Sequence, residues 1–368
     1  MELPRLKIGQ DVATLMPVYI KDRYTHCLLT GKSGGGKSTS LLGWWAEDNY
    51  YGNSKILVDP SGTLSLLCYA ISGGNYVSMD NGIALNPMLS PYEPSQICDI
   101  VIESVNQMVT QTSPNLPFTV KMVDMLDEAI KNSLKINRRS LFCVLDYIKN
   151  MRGSAETKDG IIARLQYLLS DPKMEKLLCG KNSIEWGELI DNKKTLIVDC
   201  FGMSRAKFVF TGSLVTNGLK NYFRFIRRKE YKPVSVFVDE FQNFVSPGVS
   251  EILAEGRKYN ISFCMGTQSF ATMDDKMTKQ MLNVGNIITY KLAYRDAAII
   301  AKELDIEPQA IQYLEKYHVA YMTTKERGIA KAPYPLFVKE KSAPTSVMVE
   351  PQRKSKPSWF TTESYQPT

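Results

Sequence analysis

The sequence predicts an α/β fold: a doubly wound, mostly parallel sheet with an all-helical insertion. Short apolar runs of strand length alternate with segments of helical pattern, and they lie at residues 26–30, 55–59, 195–199, 234–238 and 261–267. Between Asn86-Pro87 and about Asp191 no convincing strand appears, and apolar residues recur at helical spacing, as in the stripe through Met122, Leu126 and Leu134. These two observations carry the fold class.

The chain length and the changes in composition predict its domains. At 368 residues the chain has room for two domains, or for one large domain with an insertion. We expect residues 1–90 and 191–340 to form the sheet domain and residues 91–190 to form the helical insertion. Residues 341–368 are rich in Ser, Thr and Pro, and we expect a disordered tail there.

The first strand leads into a glycine-rich loop that fits the Walker A pattern G-x-x-x-x-G-K-[ST]. The candidate nucleotide-binding residues are Gly31, Lys32, Ser33, Gly34, Gly35, Gly36, Lys37, Ser38 and Thr39. Glycines let backbone N–H groups turn toward phosphates, a lysine at position 37 brings charge to the β and γ oxygens, and Ser38 can ligate Mg²⁺. With a helix predicted over residues 39 to 48, the loop indicates binding of ATP and Mg²⁺. The alternative is a glycine-rich surface turn.

The strand at 234–238 ends in two adjacent acids, Asp239 and Glu240, which is a Walker B pattern. Ligands of an open parallel sheet sit at the carboxyl ends of its strands, so Asp239 is expected beside the loop, where it holds Mg²⁺. Glu240 is the candidate base that orients water for ATP hydrolysis. The alternative is that the two acids only cap the following segment.

Two further residues are candidate catalytic groups. Gln268 follows the strand at 261–267 and is placed to sense the γ-phosphate or the attacking water. Ser250 is predicted to cap a helix that runs to about Tyr259 and carries Arg257. Arg257 is a candidate arginine finger for a neighbouring subunit; a solvated or salt-bridged arginine is the alternative.

The charge balance and the cysteines constrain partners and compartment. The formal charge of +7 is compatible with nucleic acid without proving it. We interpret the densest basic cluster as the solvated end of a helix rather than a DNA site; it comprises Lys220, Arg224, Arg227, Arg228, Lys229 and Lys232. Seven scattered cysteines without a C-x-x-C pair indicate reduced thiols. No apolar run reaches the roughly 18 residues of a membrane span, so we expect a cytoplasmic protein, or one peripheral to a membrane complex.

Taken together, these motifs resemble the HerA/FtsK superfamily of P-loop ATPases, and within it the type IV secretion coupling proteins of the TraG/TraD-like group. The resemblance covers roughly residues 6 to 335. Beyond the Walker A loop, the matching pieces are Leu57-Val58-Asp59-Pro60-Ser61-Gly62, Ala84-Leu85-Asn86-Pro87, Asp239-Glu240-Phe241-Gln242-Asn243-Phe244, Glu255-Gly256-Arg257-Lys258-Tyr259, Thr267-Gln268-Ser269 and Asn286 through Asp296-Ala297.

The resemblance implies a RecA-like ATPase that assembles as a ring, usually of six subunits, and pumps DNA through a central channel. By position it implies that Lys37 and Ser38 bind nucleotide and Mg²⁺, that Asp239 holds the metal, that Glu240 is the base and that Gln268 is the sensor. It leaves open whether the DNA is single- or double-stranded, and it implies partner proteins in a membrane complex or a capsid. The alternatives are a viral or phage genome-packaging ATPase, an assembly ATPase that powers protein export, and a nucleotide switch without motor activity.

Overall fold

The computed structural model describes residues 5–333 apart from 82, 114, 117, 226–230, 244–246, 272 and 274. The tail expected at 341–368 lies outside these residues, as do Phe244 of the Walker B segment and Arg227, Arg228 and Lys229 of the basic cluster.

The described residues form one sheet in which strands β1 to β11 follow the order β2-β1-β11-β10-β9-β3-β8-β7-β4-β6-β5. The strands are β1 (Leu6–Asp11), β2 (Pro17–Ile20), β3 (Cys27–Thr30), β4 (Ser54–Asp59), β5 (Asn75–Val77), β6 (Thr195–Asp199), β7 (Val234–Val238), β8 (Ile261–Thr267), β9 (Asn286–Thr289), β10 (His318–Met322) and β11 (Arg327–Lys331). From β9 to β5 neighbouring strands pair in parallel, and from β9 to β2 they pair antiparallel. The predicted class, a mostly parallel sheet, is confirmed.

Helices connect the strands and cover both faces of the sheet. They are α1 (Lys37–Tyr51), α2 (Thr63–Ser72), α3 (Pro94–Thr112), α4 (Val120–Lys135), α5 (Leu141–Asn150), α6 (Ala155–Leu169), α7 (Pro172–Cys179), α8 (Trp186–Asp191), α9 (Arg205–Phe225), α10 (Pro247–Glu255), α11 (Asp275–Leu282), α12 (Tyr294–Leu304) and α13 (Pro308–Gln312). Six of them, α3 to α8, lie between β5 and β6, in the stretch where the sequence predicts the insertion. Its boundaries, 91–190, remain a prediction. Within the described part of the chain, no helix is both long and apolar enough to cross a bilayer.

Alternate residues of the central strands enter two separate apolar layers. On β4, Ile56 and Val58 join the layer that contains α9 and the helices of the insertion, whereas Leu57 joins the layer under α1 and α2. On β7 the same alternation separates Val236 from Phe237. A strand covered on both faces has no polar side, which explains why these strands appear in the sequence as continuous apolar runs.

The structure corrects two expectations about individual elements. Ser250 does not cap a helix: it lies inside α10, which begins at Pro247, and a 3-10 turn at Gly256–Tyr259 follows. Proline suits a first helical position because the backbone N–H it lacks would have no partner there. The strands β1, β2, β5, β9, β10 and β11 were not predicted as strands. Most of them are short or lie in the antiparallel end of the sheet, where apolar and polar residues mix.

Two buried polar contacts hold the amino edge of the parallel sheet together. The Arg23 guanidinium binds Asp48 at the end of α1, with 2.7 Å between Nη2 and Oδ2, and it donates to the Ser235 hydroxyl on β7. His26, just before β3, accepts at Nδ1 from the Phe263 backbone N–H at 3.1 Å and therefore donates from Nε2 to the Leu253 carbonyl at 2.8 Å. Both ring nitrogens of His26 are used in its neutral form.

This arrangement predicts an acid-sensitive contribution of His26 to stability. Burial lowers the pKa of His26 from 6.5 to about 4. Between pH 6.5 and 4 the unfolded chain therefore binds a proton at this histidine that the folded chain does not bind. The free energy of unfolding is unaffected above about pH 6.5 and falls by about 3 kcal/mol in total as the pH drops toward 4. Urea unfolding over this range should show that loss in the parent protein and not in His26→Gln.

The other histidine provides the control. His318→Gln, at the half-buried start of β10, should retain the acid-induced loss of stability that His26 causes. A stability difference between the parent and His26→Gln that stays constant from about pH 7 to about pH 4 would contradict the assignment.

Candidate nucleotide-binding site

Strand register brings the predicted site residues to one edge of the sheet. Thr30, the last residue of β3, pairs with Thr267 of β8 and with Thr289 of β9. One strand further, Val238 of β7 pairs with Met265 of β8. The residues that follow these strands therefore leave the same carboxyl edge side by side, and they include Gly31, Asp239, Glu240 and Gln268.

The predicted phosphate loop runs from β3 into α1, which is the setting that the sequence requires of it. Lys37 begins α1 and is only 5% exposed, while Lys32, Ser33 and Ser38 are exposed at the mouth of the loop. The Lys37 Nζ donates to the carbonyl of Gly31 at 2.8 Å. Burial lowers the pKa of Lys37, and the nearby charges of Asp239 and Glu240 oppose that change.

Tyr290, which directly follows β9, packs against the phosphate loop from below. A Cβ atom at Gly36 would lie 2.7 Å from the Tyr290 Cζ, and one at Gly31 would lie 2.8 Å from its Cβ. Gly36 also has φ +121°, a conformation that side chains disfavour. The Tyr290 hydroxyl is 2.7 Å from the Ser40 hydroxyl on α1. Tyr290 therefore leaves no room for a side chain at either glycine, through its ring at Gly36 and through its Cβ at Gly31.

Ser38 and Asp239 form the candidate metal centre. The Ser38 hydroxyl donates to the Asp239 carboxylate, with 3.3 Å between Oγ and Oδ2. Burial raises the pKa of Asp239, and the adjacent charge of Glu240 adds to the rise. Hydroxyl and carboxylate oxygens are the ligands that Mg²⁺ prefers, and a bound cation would offset the cost of this buried carboxylate. The oxygens present therefore fit a magnesium ion.

Glu240 is held by two glutamine side chains. Gln268 donates to Oε1 of Glu240, and Gln242 donates to Oε2. The backbone of Glu240 has φ +50°, in the left-handed region that glutamate rarely adopts. The carboxylate thus lies next to the metal candidate Asp239, in a strained backbone conformation that the two amides support.

A wider set of polar contacts surrounds this carboxylate. The Thr267 hydroxyl donates to the Gln242 amide oxygen at 2.8 Å, and the Asn243 amide donates to the Glu240 carbonyl at 3.0 Å. Asp296, at the start of α12, accepts from the Phe270 backbone N–H at 3.0 Å and so anchors the segment that follows Gln268. Sequence reasoning assigned no role to these residues or to Tyr290. For Gln242 the sequence offers one indication of a role, because this amide lies two residues after the candidate base Glu240.

The remaining strand-end carboxylates build turns. Asp59 accepts from the backbone N–H groups of Ser61 and Ser65, both at 2.8 Å, and so shapes the turn into α2. Asp199 accepts from the Tyr76 hydroxyl at 2.5 Å and from the Phe201 backbone N–H at 2.9 Å. Nearby donors therefore satisfy both carboxylates.

Arg257 does not join the site within one chain. It is exposed in the 3-10 turn that precedes β8, whereas Gln268 follows the same strand. Arg257 therefore lies at the amino edge of the sheet, opposite to its own phosphate loop. Only a second subunit can bring it to such a site.

The described members of the basic cluster have nearby partners. Lys220 lies 2.7 Å from the Glu103 carboxylate, and Arg224 lies 3.0 Å from Glu251. Lys232 donates to the Asp191 carbonyl at 2.6 Å. The prediction of a solvated helix end holds for Arg224 and Lys232, which are exposed, and is wrong for Lys220, which is 7% exposed and paired with Glu103.

Comparison with known proteins places this geometry among related structures. Residues 233–298 match a family profile described as the TraM recognition site of TraD and TraG. The fold resembles the bacterial conjugative coupling protein TrwB, with a TM-score of 0.69 and 16% identity over 90% of this chain and 89% of that chain. It also resembles VirB4 of Thermoanaerobacter pseudethanolicus, with a TM-score of 0.70 and 16% identity over 89% of this chain and 96% of that one.

Nucleotide complexes of TrwB match as well. TrwB in complex with the ATP analogue ADPNP matches with a TM-score of 0.68 and 15% identity, over 95% of this chain and 98% of that chain. TrwB with ADP and Mg²⁺ matches with the same TM-score and identity, over 92% and 91%. No curated protein matches the sequence significantly. The predicted fold is thereby confirmed, and segment 233–298 carries the likeness to TraG and TraD that the motifs indicated.

Proposed function

We propose that the protein is an ATP-hydrolysing DNA translocase of the conjugative coupling-protein type, which acts as a ring of six subunits. The observation that carries the proposal is the convergence of a buried lysine, a serine–aspartate pair and an adjacent glutamate at one sheet edge. A phosphate-binding loop next to a magnesium carboxylate and a base is the constellation that ATP hydrolysis requires. ATP and Mg²⁺ are the cofactors.

In this mechanism the chain's own groups divide the work. The loop from Gly31 to Thr39 binds the phosphates through backbone N–H groups, and Lys37 turns from the loop carbonyls toward the β and γ oxygens. Ser38 and Asp239 hold the metal. Bound Mg²⁺ supplies positive charge to the transferred phosphoryl group. Glu240 orients and deprotonates the attacking water, and Gln268 keeps Glu240 in place.

The same proposal assigns the remaining parts. Residues 1–90 and 191–340 form the motor domain, and residues 91–190 form a helical insertion. Arg257 acts in trans, because its place at the amino edge suits contact with the site of a neighbouring subunit. The family that matches residues 233–298 is described by its recognition of TraM, and we propose a partner protein of that kind for this segment. The setting is cytoplasmic, at the periphery of a membrane complex.

Substituting Glu240 separates binding from hydrolysis. Glu240→Gln should bind ATP with nearly the affinity of the parent and hydrolyse it about a hundredfold to ten-thousandfold more slowly, because an amide cannot accept the proton of water. Lys37→Ala should weaken ATP binding itself. Nucleotide binding by calorimetry and phosphate release would measure the two steps.

A matched control is Glu303→Gln on the exposed face of α12, which should behave as the parent. Equal turnover by Glu240→Gln and the parent would remove Glu240 from the role of base.

The fit of Tyr290 under the loop predicts the effect of a single methyl group. Gly36→Ala should lose most of its ATP affinity, because the new Cβ collides with the Tyr290 ring and the backbone conformation of Gly36 disfavours a side chain. Gly43→Ala, in the middle of α1 where a Cβ meets nothing within 4 Å, should bind ATP normally. It should also unfold at slightly higher temperature, since alanine favours helices by about 1 kcal/mol over glycine. Normal binding by Gly36→Ala would refute this packing argument.

The translocase proposal itself is tested by ATP turnover with and without DNA. The assay uses both single- and double-stranded DNA. At least one of them should raise ATP turnover at low salt, and the stimulation should fade as salt increases, because binding to DNA phosphates releases counterions. Turnover that neither DNA changes at any salt concentration would favour an export ATPase or a nucleotide switch.

A further inference from the structure

A cavity opens at the carboxyl edge of the sheet, close to Glu240 and outside the phosphate loop. Its volume is about 350 Å³, and its described lining consists of Pro60, Cys200, Met203, Arg205, Phe208, Gln242 and Asn243. Pro60 follows β4, Cys200 follows β6 and Gln242 follows β7, so the cavity lies over three adjacent strand ends. The carboxyl ends of parallel strands are where ligands of such sheets bind.

The lining, together with Phe201 beside it in the chain, favours an anionic ligand with a flat, stacking component. The described lining residues include a guanidinium and two side-chain amides, and none of them is acidic. Arg205 is exposed and forms no ion pair with any described residue. Phe201 lies between the lining residues Cys200 and Met203 and is 71% exposed. Arginine and amide donors bind phosphate, and exposed aromatic rings stack on nucleobases.

Two residues that line the cavity form hydrogen bonds with the candidate base. Gln242 donates to the Glu240 carboxylate, and Asn243 donates to the Glu240 carbonyl at 3.0 Å. With Gln268 on the other carboxylate oxygen, both oxygens of Glu240 already accept from amides. In this arrangement the two glutamines hold the carboxylate and restrict its rotation toward an attacking water molecule.

We propose that this cavity binds one nucleotide unit of the translocated DNA strand, and that its occupancy controls Glu240 through Gln242 and Asn243. A phosphate that draws the Gln242 amide toward Arg205 removes one of the two donors from Glu240. The strained backbone of Glu240, at φ +50°, then loses the support of the Gln242 amide. The Glu240 carboxylate turns to the attacking water. The inference rests on the proposed function and specifies how DNA would stimulate ATP hydrolysis.

Three variants test the proposal. Arg205→Glu reverses the cation in the cavity, Gln242→Ala removes the link to Glu240, and Arg152→Glu is the control, an exposed arginine between α5 and α6. The probes are a fluorescently labelled single-stranded oligonucleotide and the duplex of the same sequence. Binding is measured by anisotropy over a salt series, and ATP turnover is measured with and without each probe.

We expect Arg205→Glu to bind the preferred probe about tenfold or more weakly, with a salt slope smaller by about one counterion, and Arg152→Glu to bind it as the parent does. Gln242→Ala should hydrolyse ATP without DNA at close to the stimulated rate of the parent, and DNA should add little. Loss of stimulation without this rise in basal turnover would overturn the control of Glu240.

Other outcomes separate this inference from the function on which it rests. If DNA stimulates the parent and both cavity variants equally, the proposed function stands and the cavity assignment is wrong. If DNA stimulates none of the proteins, the translocase proposal fails and the cavity assignment falls with it. If Arg205→Glu changes sedimentation of the oligomer and leaves DNA affinity unchanged, the cavity is a contact between subunits, which also overturns the proposal.

Discussion

The pairing of Thr30 with both Thr267 and Thr289 is the constraint on which the rest of the structure depends. It aligns the end of β3 with the ends of β8 and β9, so the groups that follow three strands meet without any long side chain having to reach. The parallel register continues through β7 and β4. Residues more than two hundred positions apart, such as Ser38 and Asp239, come within bonding distance because backbone hydrogen bonds hold the strands in this register.

The site balances charges that are costly to bury. Lys37 and Asp239 are both nearly inaccessible, and burial shifts the pKa of each toward its neutral form. Lys37 and Asp239 form no direct ion pair with each other. Lys37 donates to backbone carbonyls, and Asp239 accepts from the Ser38 hydroxyl. Groups arranged in this way are stabilised by a ligand that brings phosphate to the lysine and a cation to the carboxylate. The site thus offers partners for charges of both signs.

Much of this could be predicted from sequence, because it is encoded locally. Strands buried on both faces gave continuous apolar runs, and the loop glycines and the acids after β7 form contiguous patterns. Tyr290 could not be predicted, since its role depends on β9 pairing with β3, a contact between distant segments. The contacts of Gln242 depend on the left-handed backbone of Glu240, which no residue pattern announces. Helix starts were also uncertain by a few residues, as Ser250 shows.

The position of Tyr290 has a mechanical consequence for the whole sheet. β9, which ends at Thr289 directly before Tyr290, is also the strand where direction reverses, because its other neighbour, β10, runs antiparallel. The phosphate loop therefore lies at the boundary between the parallel and the antiparallel parts of the sheet. Strain applied at the β1–β2 hairpin would reach the loop across β11, β10 and β9 without passing through any catalytic group. The hydrogen-bonded antiparallel strands therefore connect the β1–β2 hairpin to the strand that pairs beside the phosphate loop.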